Sequence, residues 1–398
     1  MKTVKVVIGA NFGDEGKGHM TDYFSQKYRK QSPIVIRYNS GAQAGHTVTR
    51  EDGTRHVFSH FGSGTLAGVP TYLSRFFVAN PLVFQREYDE LVSIMEQEEM
   101  PAVGISKDCL VTTPYDMLIN QAVENFRREG RHGSCGLGFY ETLIRSKRPE
   151  YCLTVDDLRK ETLGQMLRAI ALDYVPQRLQ ELGVPMDERV LAVLQSKELV
   201  EDTLMAVSFF NQHVTVQEMA EAVNKKQVLI FEGAQGLMLD EGYRFFPHVT
   251  PSKTGISNVI TLLGENPIGR YQMEVVYVSR WYLTRHGAGP LPGELPEKPY
   301  EGIVDLTNQP NEYQGRLRFA YLDLDLLKEN IAADSKKAAG VEMQISLAIT
   351  CSSQMEEEFI LRYEGREHSV KKGELERILK EKVLIPTVYI TQVGNIKK

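Results

Sequence analysis

Little in this sequence points to a metal cage, a membrane or a nucleic-acid surface. Cysteine is scarce and scattered: Cys109, Cys135, Cys152 and Cys351 are the four residues, and no Cys-x-x-Cys pair occurs. That spacing excludes a zinc-finger or dithiol motif, and reduced thiols fit a cytoplasmic protein. No apolar run approaches the length of a bilayer span, and Met1 to Ala10 lacks the apolar core and cleavage site of a secretory leader. Basic residues do not dominate. The 46 Lys and Arg stand against 52 Asp and Glu, a net charge of −6, which argues against nucleic acid as a partner. Repeats, low-complexity runs and linkers are missing as well. Hydrophobic residues make up 42% and charged residues 25% of 398. This is ordinary globular composition, and the whole chain, 1–398, reads as one elaborated domain.

What the sequence does contain is an alternation of short apolar strands and helices. Residues 4–8 form a β-branched run ending at Gly9, the pattern of a buried strand. A polar, glycine-rich loop follows at 11–18, then a helix expected over 19–30 and a second strand over 33–38. Strand, loop, helix and strand in this order predict a right-handed parallel unit. Further strands are expected at 227–231, 273–278, 344–350 and 387–391, and helices at 84–99, 117–128 and 155–182. The fold class is α/β, a mostly parallel central sheet flanked by helices.

The loop after the first strand carries the first chemical signal, Gly13-Asp14-Glu15-Gly16-Lys17-Gly18. Glycines let the backbone approach a polyphosphate, and amides at the start of the following helix point at it. Lys17 supplies a positive charge. The glycine spacing is too short for a Walker loop, and no Ser or Thr follows the lysine. An aspartate among phosphates is electrostatically costly unless it holds a metal or moves a proton. An isolated glycine pair reads more naturally as a tight turn, and a lone His46 as a satisfied loop histidine. The complete hexapeptide between strand and helix outweighs the first of these readings.

Four segments in order resemble the adenylosuccinate synthetase family. They are the hexapeptide at 13–18, Ala44-Gly45-His46-Thr47, Phe231-Glu232-Gly233-Ala234-Gln235-Gly236 with Leu239-Asp240 and Pro247-His248-Val249-Thr250 after it, and Thr284-Arg285-His286-Gly287-Ala288-Gly289-Pro290 with Glu294-Leu295. The C-terminal part matches poorly. The resemblance implies a ligase that phosphorylates the purine six-oxygen and then lets the amine of L-aspartate displace the phosphate. It makes Asp14 the general base, His46 the general acid, and Lys17 and Gln235 their catalytic partners. Gln235 would recognise the six-oxygen, because an amide both donates and accepts. Asp14 and the Gly45 carbonyl would hold Mg2+. Gly13, Glu15, Gly16, Lys17, Gly18, Gly45, His46, Thr47, Gln392 and Gly394 would bind the donor nucleotide and its phosphates. Asn39, Ser40, Gln43, Ser134, Cys135, Arg145, Gln235 and Thr250 would bind the acceptor nucleotide, with Arg145 reaching across a homodimer. Arg316 and Arg318 would present planar forks to the carboxylates of aspartate.

Departures from the family narrow the substrates. Where the family reads guanine with a lysine and an aspartate, this chain has Thr350-Cys351-Ser352-Ser353. Without that carboxylate the guanine N–H groups lose their acceptor, so ATP or dATP is the expected donor. Ser40 and Ala42-Gln43 replace a bulkier acceptor-loop pattern, which admits a purine with a 2-amino group. The chain therefore resembles the bacteriophage branch that makes 2-amino-2′-deoxyadenylosuccinate from the purine deoxynucleoside monophosphate dGMP. An ordinary enzyme acting on IMP with GTP is the alternative. A non-catalytic nucleotide-binding regulatory module is a third reading, opposed by the joint presence of Asp14, Lys17, His46 and Gln235. A switch GTPase is opposed by the missing Walker spacing.

Overall fold

The computed structural model describes residues 1–95, 100–127, 133–308, 315–392 and 395–397, from Gln392 onward by backbone alone. The β-branched runs form the strands expected of them: β1 (Lys2–Gly9), β2 (Pro33–Arg37), β3 (Val228–Gly236), β4 (Tyr271–Arg280), β5 (Met343–Thr350) and β6 (Thr387–Gln392). They belong to a ten-stranded sheet with β1 between β3 and β4. On one side β3 is followed by β2 and then by Thr71–Leu73, Val103–Ile105 and Val214–Val216. On the other, β4 is followed by β5, β6 and Asn395–Lys397. Neighbouring strands are parallel throughout, except that Asn395–Lys397 runs antiparallel to β6. The α/β architecture read from the sequence is the one observed.

A parallel sheet is covered on both faces, so its strands are apolar in both directions. In β1, Val4, Val6 and Ile8 join one apolar cluster, while Val7 joins another with Met20 and Phe24 of α1 (Lys17–Lys27). Lys5 interrupts this run. It pairs in register with Glu274 of β4, and that carboxylate also accepts from Ser346 at 2.6 Å and Tyr389 at 2.8 Å. A buried charge is tolerable only with this degree of compensation.

The helices differ from expectation in their bounds. Those expected over 84–99 and 117–128 are Pro81–Met95 and Pro114–Arg127. The expected helix over 155–182 is broken into a 3-10 turn at Asp156–Arg159, a helix at Leu163–Ala169, a π turn at Ile170–Tyr174 and a helix at Val175–Glu181. Pro176 accounts for the wide turn. It offers no N–H, and its ring crowds the carbonyl one turn earlier. No helix among the described residues is long and apolar enough to cross a membrane.

Parallel strands end at a common rim, where crossover loops gather. Four non-glycine residues at this rim have left-handed backbone: Asp14 (φ 61°), Ser40 (59°), Gln235 (63°) and Cys351 (57°). A Cβ makes that conformation cost about 1–2 kcal/mol per residue. Backbone strain is thus concentrated where β1, β2, β3 and β5 deliver their loops.

Candidate active site

The loop between β1 and α1 is built around Glu15. This side chain is buried and accepts from the N–H of Asn11 at 3.0 Å, the N–H of Gly13 at 2.8 Å and Lys17 Nζ at 2.7 Å. Its neighbours must be glycine: a Cβ on Gly9 would stand 2.4 Å from Glu15 Oε2, and one on Gly236 2.6 Å from Oε1. The expectation that Glu15 binds phosphate is therefore corrected. Its carboxylate faces inward as a brace, and phosphate contact falls to backbone amides and Lys17. Gly16, at φ 88°, leads into α1, which no side chain caps. The first-turn amides and the positive end of the helix dipole are thereby left for an anion.

Two further strand ends hold the loop. Arg280, at the end of β4, donates through Nε to the Asp14 carbonyl and through Nη2 to Asp305, 2.7 Å away. Thr350, at the end of β5, donates its hydroxyl to the Glu15 carbonyl at 2.6 Å. Burial raises the Asp14 carboxyl above its usual range, with Arg280 and Lys17 pulling it back and Glu15 and Asp305 pushing it further up. A carboxylate so raised is a better proton acceptor near neutral pH.

His46 opens a hairpin of His46–Thr49 and Arg55–Phe58. Its Nδ1 lies 2.7 Å from Glu232 Oε1, and Glu232 also accepts from the Ser63 N–H at 3.0 Å and from the Ser63 hydroxyl. Burial would raise Glu232, but His46, Arg37 and Ser63 hold it below the usual carboxylate range. An ionised carboxylate can only accept, so Nδ1 carries the imidazole proton. Nε2 is buried and has no hydrogen-bond partner among the described residues. Burial lowers His46 to about 4, against the opposing pull of Glu232. An anion placed at Nε2 would restore the second proton, as a nearby opposite charge favours the charged form.

Gln235 stands beside the phosphate loop, since a Cβ on Gly13 would lie 3.7 Å from Gln235 Oε1. The structure thus gathers Asp14, Lys17, His46 and Gln235 at one rim of the sheet. Ser40 and Gln43 are bonded to each other, Gln43 Nε2 donating to Ser40 Oγ at 2.7 Å. Asn39 departs from its expected role. Its amide donates to the carbonyls of Ala234 and Lys253 and accepts from the Ala234 N–H, tying β2 to the Gln235 turn. Thr250 is half-buried, and Thr47 meets Thr307 hydroxyl to hydroxyl at 2.9 Å. Ser134 accepts from Asn120 at 2.8 Å, and burial pushes the Cys135 thiol up. Their loop abuts the next glycine loop, because a Cβ on Gly133 would sit 2.9 Å from Gly287 Cα.

Two arginine expectations change. Arg145 does not extend outward. It is fully buried, with Nε and Nη2 on the two oxygens of Asp116 at 2.8 and 2.9 Å, Nη2 also on Val111 O at 2.7 Å, and Nη1 on Tyr151 O at 2.5 Å. Its guanidinium is committed to partners within its own chain. Arg318 grips Glu294 through Nε at 2.7 Å and again through Nη2, and its Nη1 holds the carbonyls of Gly287 and Gly289. Arg316 is exposed. The side chain of Gln392 and all of Gly394 lie outside the described residues.

Glu232, Arg280 and Ser63 were not singled out from sequence. Glu232 sat inside a quoted motif, so its signal was present; nothing local marked the other two. Among the described residues no group of three His, Cys, Asp or Glu could hold a metal. The Asp14 carboxylate and Gly45 carbonyl are hard oxygen donors, a set that suits Mg2+ shared with substrate phosphates and water better than a protein cage. A cavity of about 630 Å3 runs along α1, lined by His19, Asp22, Gln26, Arg29 and residues 49–52; it includes none of Asp14, His46 and Gln235.

Comparison with known proteins agrees with this geometry. A family model described as adenylosuccinate synthetase matches residues 6–343. The adenylosuccinate synthetase of Halothermothrix orenii is 30% identical over 335 residues, covering 82% of this chain and 74% of the relative. That of Prochlorococcus marinus (strain MIT 9313) is 30% identical over 329 residues, covering 79% and 69%. Among solved structures, the fully ligated adenylosuccinate synthetase of Plasmodium falciparum superposes with a TM-score of 0.72 at 18% identity, covering 100% of both chains. The cyanophage S-2L succinoaminodeoxyadenylate synthetase, bound to dGMP and dATP as an energy donor, gives 0.60 at 16% identity, covering 100% of this chain and 95% of the other. At these identities the structural likeness is one of fold.

Proposed function

The chain belongs to the adenylosuccinate synthetase family of C–N ligases, and from that premise we propose that it joins L-aspartate to the six-position of dGMP, using ATP or dATP. The products are 2-amino-2′-deoxyadenylosuccinate, the nucleoside diphosphate and phosphate. The observation that carries the ligase chemistry is the convergence of a raised carboxyl at Asp14 with the His46–Glu232 pair at one rim. Asp14 takes the purine N1 proton while the six-oxygen attacks the γ-phosphorus. His46, its Nδ1 fixed by Glu232, presents Nε2 to the transferring phosphoryl group. Lys17 and the first-turn amides of α1 hold the phosphate oxygens, and Gln235 follows the six-oxygen as it changes from carbonyl to phosphoester. The aspartate amine then displaces phosphate at C6. Mg2+, held by Asp14 and the Gly45 carbonyl, would neutralise polyphosphate charge. The active unit is proposed to be a homodimer.

Support for ATP or dATP comes from the end of β5, where Thr350 braces the phosphate loop and Cys351-Ser352-Ser353 offers no carboxylate to guanine. Support for dGMP comes from the small Ser40–Gln43 turn; the cyanophage enzyme of the same fold was solved with dGMP and dATP. The second reading, IMP with GTP, is favoured by the curated relatives, which are ordinary adenylosuccinate synthetases. A phosphate-release assay with aspartate decides between them, crossing dGMP, GMP, dIMP and IMP against ATP, dATP and GTP. The proposal expects dGMP to exceed dIMP by roughly tenfold or more in kcat/KM, with adenine donors ahead of GTP. Equal or better use of IMP with GTP would return the chain to the ordinary reaction.

A further inference from the structure

Arg37 is the last residue of β2 and one of the largest fully buried side chains in the molecule. Its Cα partner on the neighbouring parallel strand is Glu232. Residues paired in register project to the same face of a sheet, so the guanidinium rises beside the carboxylate that holds His46. Its Nη1 donates to the Phe61 carbonyl at 3.3 Å, while its Nε and Nη2 are buried with no hydrogen-bond partner among the described residues. The Phe77 ring centroid lies 5.4 Å from the guanidinium carbon.

The segment that Arg37 grips is itself suspended between two carboxylates. Glu87, on the helix Pro81–Met95, accepts the N–H groups of Ser59 at 2.8 Å, His60 at 2.6 Å and Phe61 at 3.2 Å. Four residues after Ser59, Ser63 donates its N–H and hydroxyl to Glu232. Arg37 sits at the middle of this span and is attracted to both carboxylates.

We propose that Arg37 is a positioning residue for the reaction, setting the geometry and charge of the Glu232–His46 pair from beneath. A buried carboxylate without a nearby cation reverts to its neutral form. A neutral Glu232 could place its own proton between itself and Nδ1, and so turn His46 to the wrong tautomer. The other nearby cation, Lys17, is engaged with Glu15. Arg37 therefore works with His46 and Ser63 to keep Glu232 an acceptor. It also fixes Phe61, and through it the path of the chain to Ser63.

This inference rests on the proposed role of His46, and its test is chosen to stand apart from that role. Arg37→Met and Arg37→Lys are compared with wild type in three measurements: thermal unfolding, steady-state kinetics, and the proton spectrum of 15N-histidine-labelled protein. The His46 Nδ1 proton is assigned by its loss in His46→Gln. In folded Arg37→Met, kcat should fall by roughly tenfold or more with nucleotide KM values changed by less than about threefold. The Nδ1 proton should leave its strongly hydrogen-bonded, downfield position, and Arg37→Lys should recover part of both effects. Arg37→Met with lowered stability but an unmoved Nδ1 signal and unchanged kcat would reduce Arg37 to a packing role and overturn the proposal. Should Arg37→Met fail to fold, Arg37→Lys is read alone: a shifted Nδ1 signal supports the proposal, and an unshifted one with wild-type kcat refutes it. If wild type shows no ligase activity with any nucleotide, the functional reading fails. The Nδ1 signal still decides the positioning role.

Discussion

Arg280 donates its Nε–H to the carbonyl oxygen of Asp14 at 2.6 Å, across 266 residues of sequence. The bond holds a left-handed residue in place by its backbone, leaving the carboxylate free for chemistry. Arg280→Lys keeps the charge but cannot bond Asp14, Asp305 and Tyr282 at once, as the arginine does. It should lower kcat by about tenfold, a larger loss than its modest destabilisation explains. A wild-type kcat in Arg280→Lys would show that the Asp14 backbone needs no such tether.

Asp14→Asn preserves size and removes the proton acceptor. Turnover should drop by about a hundredfold or more, with the nucleotide still protecting the protein against heating. Turnover near wild type would eliminate Asp14 as the base.

Glu87 makes a prediction about acid stability. Burial alone would raise its carboxyl, but His56, His60 and the backbone donors of the 59–61 turn hold it down to about 2, from an ordinary 4.5. The unfolded chain therefore binds a proton at higher pH than the folded one. Stability from this group is complete above about pH 4.5 and drains away as pH falls toward 2, by roughly 3 kcal/mol in total. Urea unfolding of Glu87→Gln should show lower stability at pH 7 and a flatter decline below pH 4.5 than wild type. Parallel declines would place the acid sensitivity elsewhere.

Arg145 should behave as an internal strut. Arg145→Leu leaves Asp116 buried without its cation, which costs about 3–5 kcal/mol. The loss should be independent of protein concentration. Recovery of activity on mixing this variant with another inactive one would instead reveal a role shared between subunits.

The sequence was most legible where chemistry is written in consecutive residues. The glycine-rich hexapeptide after β1 was found because polyphosphate binding needs several adjacent backbone groups in one turn. The parallel sheet was found because strands buried on both faces are apolar in nearly continuous runs. Legibility failed for Arg37, Ser63 and Arg280, which reach the site through sheet pairing or side-chain length from distant segments. The burial of Arg145 was missed for the same reason, since its partner Asp116 lies 29 residues away. Glu15 was misread because a carboxylate beside phosphate-binding glycines looks like a ligand until its partners are seen. The break in the helix over 155–182 was signalled by Pro176, although a π turn leaves no periodicity to detect.

The left-handed backbone at Asp14, Ser40, Gln235 and Cys351 bears on how this protein would change under selection for robustness alone. At each of these positions glycine relieves the strain that a Cβ imposes. A library screened only for heat resistance would be expected to enrich glycine at Gln235, and asparagine or glycine at Asp14, with activity falling as melting temperature rises. A library screened for turnover would hold both residues and accept the penalty. The rim of the sheet is where durability and catalysis pull this chain in opposite directions.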